Sequence, residues 1–443
     1  MGGGLLQLVA YGAQDAYITG NPHITFWKVL YKRHTNFAVE AMRVNFTGSP
    51  MYGQRIVAVV NRNADLVWKT YVEVTLPDTS FGDGVDINWS SGAQRRLGYL
   101  LLKQIEVEIG GQIIDRQYGE WLYLWETLTA DFDTAMKLDN LVGGQYAGAP
   151  STVTTADACG GRPRVLYVPL QFWFNRNPGL ALPLIALQYH EVRFNITLED
   201  SINLVQGTPA SAGTISSQAA RLPALRDMAL YLDYVYLDVD ERRRFAQESH
   251  EYLIDQLQYT GQQTITTASG RLDLTLNHPV KELIWVFQDE RKTDCGSSTS
   301  IAAGFTQPFT YDDIVNRARL QLNGQDRFDE RYGDYFWKVQ PYQHHSGGAF
   351  ARAFTDGNAG RITATSTPNA INVYSFAIQP EEHQPSGTCN FSRIDTATLV
   401  FDSVTTTAGA FPSKATPYNF RMYAVNYNIF RIMSGMGGLA YSN

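Results

Sequence analysis

The chain has 443 residues, 44% of them hydrophobic and only 18% charged, with a formal net charge of −7. This length exceeds one ordinary core and suits two large β-sandwiches, and a charge content below the roughly 25% of a typical soluble protein leaves neutral surface that neighbours can bury. An acidic chain without Lys/Arg runs is unsuited to wrapping nucleic acid, and Cys159, Cys295 and Cys389 are too scattered for a disulfide framework or a zinc site, which points to reduced thiols in a cytosolic compartment.

Residues 1–36 precede any alternating strand and carry turn signals at Gly12, Gly20 and Asn21-Pro22. They read as an N-terminal assembly arm, with Tyr11, Asp15, Tyr17, Asn21 and Pro22 as its candidate contact residues, because a terminal arm needs a partner surface to stay ordered. The arm start lacks the basic segment and long apolar run of a secretory signal, and no stretch reaches the 18 or more apolar residues of a membrane span. Neither secretion nor membrane insertion is expected.

From residue 37 the pattern becomes strict alternation: Ile105, Val107 and Ile109 point one way while Glu106 and Glu108 point the other. Eight strands are expected at 39–47, 55–61, 65–76, 103–115, 165–174, 181–187, 191–199 and 228–238. One helix is expected from Gly119 to about Ala130, with Trp121, Leu122, Trp125 and Leu128 on one face, capping an open sandwich end. Mixed charges from Asp238 to Arg244 mark a linker over 240–252 between a first unit, 37–239, and a second, 253–443. The second unit gives strands at 253–260, 270–277, 281–288, 317–328, 372–379, 388–392, 394–402 and 420–430.

The two units echo one another. Phe46-Thr47-Gly48 returns as Tyr259-Thr260-Gly261 and Gly111-Gln112 as Gly324-Gln325, both 213 residues on (259 − 46 and 324 − 111). Tyr118-Gly119-Glu120-Trp121 returns as Tyr332-Gly333-Asp334-Tyr335, and Tyr231–Leu237 as Tyr423–Ile429 at an offset of 192 (423 − 231). Strands are kept and loops differ in length. Eight strands per unit with Gly-, Asn- and Pro-rich turns give an all-β fold of two tandem jelly rolls with long loops and a few short helices. Antiparallel order then puts odd-numbered connections, including 77–102, 200–227, 289–316 and 403–419, at one end of each sandwich. The fourth connections, 116–164 and 329–371, fall at the other end or along a flank.

No spacing supports catalysis or a bound group. His190-Glu191 and His250-Glu251 lack the second histidine of a helical zinc site, His344-His345 reads as a solvated loop, and Gly435-Met436-Gly437-Gly438 has no lysine to make a phosphate loop. Catalytic, cofactor and metal residues are therefore expected to be none. Of the sequons at Asn45, Asn88, Asn195 and Asn390, only Asn88 falls in a clear loop, making it the candidate glycosylation site.

Leu8-Val9-Ala10-Tyr11-Gly12-Ala13-Gln14-Asp15, then Thr19-Gly20-Asn21-Pro22 and Tyr31-Lys32-Arg33-His34-Thr35-Asn36-Phe37, closely resembles the major capsid protein of large icosahedral double-stranded DNA viruses of the chlorella-virus type. The stretches Asn177–Val192, Leu322–Phe328, Gln384–Asp395 and Arg431–Tyr441 carry the same resemblance in order along the chain. It implies a double jelly roll in a homotrimeric, pseudo-hexagonal capsomer that tiles an icosahedral shell around an internal membrane. It also implies outward loops bearing sugars, minor capsid proteins on the inner face, a place in the virion after assembly in the host cytoplasm, and no direct contact with the genome. Two other readings are a minor capsid or penton protein, which more often has a single jelly roll, and a carbohydrate-binding tandem sandwich, which would carry a secretion signal.

Overall fold

A computed structural model describes residues 2–77, 88–89, 96–143, 165–206, 222–290, 309–347, 370–403, 405–406, 409–410 and 417–441. The chain divides into two compact units, Met1–Phe37 and Ala38–Asn443. The first contains short helices over Gly3–Val9 and Ala16–Thr19. Between them the Asp15 carboxylate accepts from the Gly12 N–H at 2.8 Å, which fixes the bend at Gly12, and Asn21 takes a left-handed φ of 50° ahead of Pro22.

Among the described residues the second unit holds two lobes, each built on eight sandwich strands with short two-residue pairings, such as Leu182–Pro183 and Arg331–Tyr332, beside them. The first lobe has β1 (Phe37–Asn45), β2 (Arg55–Val59), β3 (Leu66–Thr75), β4 (Leu102–Ile109), β5 (Gln112–Tyr118), β6 (Val165–Pro169), β7 (Val192–Leu198) and β8 (Asp227–Leu237). The second has β9 (His250–Ile265), β10 (Ser269–Asp273), β11 (Pro279–Asp289), β12 (Val315–Leu322), β13 (Gln325–Asp326), β14 (Ile371–Ser375), β15 (Ala397–Ser403) and β16 (Tyr418–Met433), followed by a short β17 (Met436–Leu439) paired to β16. Sheets of order β1-β8-β3-β6 and β2-β7-β4-β5 form one sandwich; β9-β16-β11-β14 and β10-β15-β12-β13 form the other. Each strand of the first lobe has its counterpart eight strands later, the order of a double jelly roll.

The duplication extends to register. Tyr231 pairs with Tyr71 and Tyr423 with Ile284, so the offsets are 423 − 231 = 192 and 284 − 71 = 213, the same two found in the sequence. The echoed residues occupy equivalent turns. Gly110 and Gly111 (φ 59° and 86°) and Asn323 and Gly324 (φ 50° and 78°) are the left-handed pairs of two-residue hairpins joining β4 to β5 and β12 to β13. Gly119 and Gly333 each lie beneath a carbonyl, where a Cβ would come within 2.0 Å of Tyr99 O or 2.1 Å of Val315 O.

Strand boundaries differ from the sequence expectation in an instructive way. The segments 103–115 and 317–328 are each two strands folded about those hairpin turns, whereas 181–187 pairs only at Leu182–Pro183 and 388–392 only at Cys389–Asn390. Around residues 184–187 the N–H groups of Ala186 and Leu187 donate three residues back, so the run is a pair of turns whose side chains are nonetheless buried. Apolar content alone does not separate these cases. Among the described residues the sandwich strands still number eight per lobe, but the fourth connection is now the hairpin, and the segments after β5 and β13, described over 119–143 and 327–347, become fifth connections. They therefore join the odd-numbered end, contrary to the expectation that they fall opposite. Asn88–Trp89 of the third connection pairs with Val205–Gln206 of the seventh, and Gly347 N–H donates to Leu128 O at 2.7 Å between the fifth connections of the two lobes.

The expected helix is present as α1 (Gly119–Thr129), and the predicted linker contains α2 (Val239–Gln247), whose Arg242 pairs with Asp65 at 3.0 Å. A helix over Phe132–Val142 was not foreseen.

Two main cores fill the lobes. On β11 and β16, Leu283, Trp285, Phe420 and Met422 belong to the second lobe's own core, whereas Ile284, Val286, Tyr423 and Val425 belong to a core continuous with the first lobe. The sheet β9-β16-β11-β14 is thus covered on both faces, and the two lobes share apolar packing.

Candidate assembly site

The joint between the lobes is built by α1. Its hydrophobic residues Trp121, Leu122, Trp125 and Leu128 are buried as their spacing suggests, but the helix is a wedge between lobes and does more than cap one sandwich. From its first turn Glu120 meets Arg421 of β16 in a bidentate pair, Nη2 to Oε1 at 2.7 Å and Nε to Oε2 at 2.8 Å. Tyr423 OH donates to Oε2 at 2.5 Å and Tyr311 OH to Oε1 at 3.0 Å. Burial disfavours the Arg421 cation, but the Glu120 charge outweighs it and holds the guanidinium protonated. The Tyr118 ring packs against Tyr259 at 4.9 Å and Tyr423 at 6.2 Å between centroids.

Further polar contacts seal the same joint. The buried Asp115 carboxylate of β5 accepts from Leu257 N–H of β9 at 3.0 Å; burial pushes it up to about 6, against the pull of the Leu257 and Arg116 N–H groups. His345 contradicts its reading as a solvated loop residue, since its side chain is fully buried between Glu282 (3.1 Å) and Glu381 (3.0 Å). Burial alone would lower its pKa, but the two carboxylates outweigh this and raise it to about 9. The neighbouring Ser346 hydroxyl reaches both Glu381 (2.6 Å) and Thr129 O of the first lobe (2.9 Å).

The four family-like stretches beyond the arm meet in pairs at the end of the lobes where the β4–β5 and β12–β13 hairpins lie. Tyr189 N–H donates to Gly435 O at 3.0 Å, His190 Nδ1 lies 3.0 Å from Gly437 O, and a Cβ on Gly437 would reach 2.6 Å from Leu187. This joins the stretches 177–192 and 431–441 across the two lobes. In the second lobe the Asn323 side chain accepts from Asp395 and Thr396 N–H at 2.9 and 3.0 Å, which joins 322–328 to 384–395. Nothing local in the sequence signals these pairings. Between the hairpin and the C-terminal strand lies a cleft of about 300 Å³ lined by Gln112, Asp115, Gln256, Asn426 and Tyr441.

The arm candidates are exposed or half-exposed, Tyr17 at 94%, and Tyr11 OH lies 3.4 Å from the Thr19 hydroxyl. Asn88 is in a two-residue ladder with Gln206 and not in an open loop. Asn195 is buried and donates to Glu108 at 2.9 Å, while Asn45 and Asn390 are exposed. Cys159 and Cys295 lie outside the described residues; Cys389 is a free thiol. Among the described residues no cluster of His, Cys, Asp and Glu could hold a metal, and no helix is long and apolar enough to cross a membrane.

Two protein families match the chain: major capsid protein N-terminus over residues 25–238, and large eukaryotic DNA virus major capsid protein over 241–438. The chain is 46% identical to the major capsid protein of Pyramimonas orientalis virus and 40% identical to that of Paramecium bursaria Chlorella virus 1, with 100% of both chains covered in each case. A chain of the PBCV-1 virus capsid is similar in structure with a TM-score of 0.73 at 34% identity, covering 95% of this chain and 100% of that one. The Faustovirus major capsid protein shares the fold at 14% identity, with a TM-score of 0.69 over 96% of this chain and 94% of that one.

Proposed function

The chain belongs to the major capsid protein family of large eukaryotic DNA viruses, and on that premise we propose that three copies close into a capsomer of six similar lobes. It is a structural component of the virion's capsid shell, assembling with copies of itself, and not an enzyme. The observation that carries the trimer is the duplication: one chain supplies two jelly rolls in identical register, welded by a buried joint, so three chains supply a near-hexagonal set. Closed rings are the ordinary outcome of a repeated head-to-tail interface.

In this capsomer the odd-numbered connections face outward and are the places for sugars, including Asn88. The opposite end, where the family-like stretches gather, faces inward toward minor capsid proteins. Residues 1–36 act as the assembly arm before jelly rolls over 37–239 and 253–443, joined through 240–252, and assembly takes place in the host cytoplasm. Native mass spectrometry tests the stoichiometry: three times 49.6 kDa, or about 149 kDa, is expected. Mainly monomer at micromolar concentration would refute the trimer.

A further inference from the structure

We propose that Lys281 and Asp255 form an amide bond with each other unaided: the buried Nζ condenses with the Asp255 carboxyl group, expels one water and staples β11 to β9 inside the second lobe.

Lys281 falls at a break in register. On β11, Val280 pairs with Asn426 of β16 and Glu282 with Val425, so Lys281 between them has no partner on that strand. Its side chain is completely buried, which is rare for lysine, and its Nζ reaches Asp255 Oδ2 of β9 at 3.0 Å. Because β9 and β11 each pair with β16 and not with each other, the reach across the middle strand is made by side chains alone.

The surroundings suit a condensation. Asp255 and Glu282 are both buried with Lys281, and an ion pair closed off from water keeps a desolvation cost that a neutral amide does not have. Asp255 Oδ1 accepts no hydrogen bond, while Oδ2 is shared between Lys281 and Arg176 of the first lobe, 3.7 Å away. The Arg176 cation therefore stands beside the carboxyl group, where negative charge develops as Cγ is attacked. Glu282 supplies a second carboxylate in the same enclosure. Its charge and that of Asp255 bear on the same Tyr427 hydroxyl and the same Arg176 guanidinium, and its Oε1 also accepts no hydrogen bond.

Within the ion pair one proton passes from Nζ to the Asp255 carboxylate, leaving an amine and a carboxylic acid. The amine lone pair attacks Cγ and forms the C–N bond. Glu282 takes a second proton from the nitrogen and returns it to the departing hydroxyl as the C–OH bond breaks. One water leaves, the nitrogen keeps one hydrogen, and two buried charges disappear together. Arg176 meets Asp255 only when the lobes have closed on each other, so the amide follows the joint and then locks positions 26 residues apart on either side of β16.

The test is the intact mass of the purified full-length chain, held folded for several days and then fully unfolded. A mass lower than the sequence mass by one water is expected, with a branched tryptic peptide that joins the segments holding Asp255 and Lys281 and is uncut after Lys281. Lys281→Arg keeps the charge but supplies no amine for the bond, and should return to the full sequence mass. Glu282→Gln should stay largely unlinked while its circular dichroism remains that of the parent; linking to the parent's extent would overturn the role given to Glu282. Parent chains at the full sequence mass, or a water loss that persists in Lys281→Arg, would overturn the proposal. If Lys281→Arg does not fold, the parent's digest decides alone, and absence of the branched peptide overturns the amide.

Discussion

At the scale of single residues, Glu120 and His345 form the buried charge contacts with the sharpest consequences. Glu120→Gln leaves the Arg421 guanidinium buried without its counter-charge, and a broken buried pair costs about 3–5 kcal/mol. Urea unfolding should show that loss, with Tyr423→Phe costing about 1.5–3 kcal/mol for one hydrogen bond to a charged acceptor; equal small losses would mean that the pair does not hold the joint. His345, raised from 6.5 to about 9, gains proton affinity on folding. Its stabilisation is complete below pH 6.5 and is lost as pH rises through 9. Asp115, raised from 3.8 to about 6, works in the same direction at lower pH, being most favourable when protonated and costing stability as pH climbs from 3.8 through 6. Thermal midpoints of the parent should fall between pH 6.5 and 9 relative to His345→Asn; parallel curves would contradict the assignment. Neither group was legible. Glu120 was visible only as part of a repeated motif, because its partner lies 301 residues away, and His345 follows a polar loop signal while its carboxylates come from distant segments.

At the scale of elements, period-two alternation located most strands because one face of each is buried. It failed where it continued through a tight turn, as at Gly110-Gly111, and where an apolar run was buried without pairing, as at 184–187. Those two errors cancel in the strand count but not in the connections, which is why the fifth connections were placed at the wrong end. The echoed glycines were legible as repeats, and the structure supplies their reasons, which differ. Gly111→Ala meets nothing within 4 Å and pays only for φ 86°, about 1–2 kcal/mol, whereas Gly333→Ala, with no left-handed φ, must displace backbone 2.1 Å away. The second variant should unfold at clearly lower denaturant than the first. The reverse order would show that the echo marks turn conformation alone.

At the scale of the whole molecule, duplication and the all-β class were legible because they rest on repeated local patterns, whereas the shared core between lobes was not, since it arises from strands buried on both faces. The described core clusters of Ala38–Asn443 draw on residues from Met42 onward, so deleting residues 1–36 should leave the unfolding transition unchanged while lowering shell formation in an assembly assay. Loss of the transition would place the arm in the fold instead. The central claim is that two welded jelly rolls per chain make a six-lobed particle from three chains. Two-dimensional class averages of the purified protein by electron microscopy test it most directly. Hexagonal particles with six similar lobes and three-fold symmetry are predicted; two-lobed particles, or rings of any other number of lobes, would contradict it.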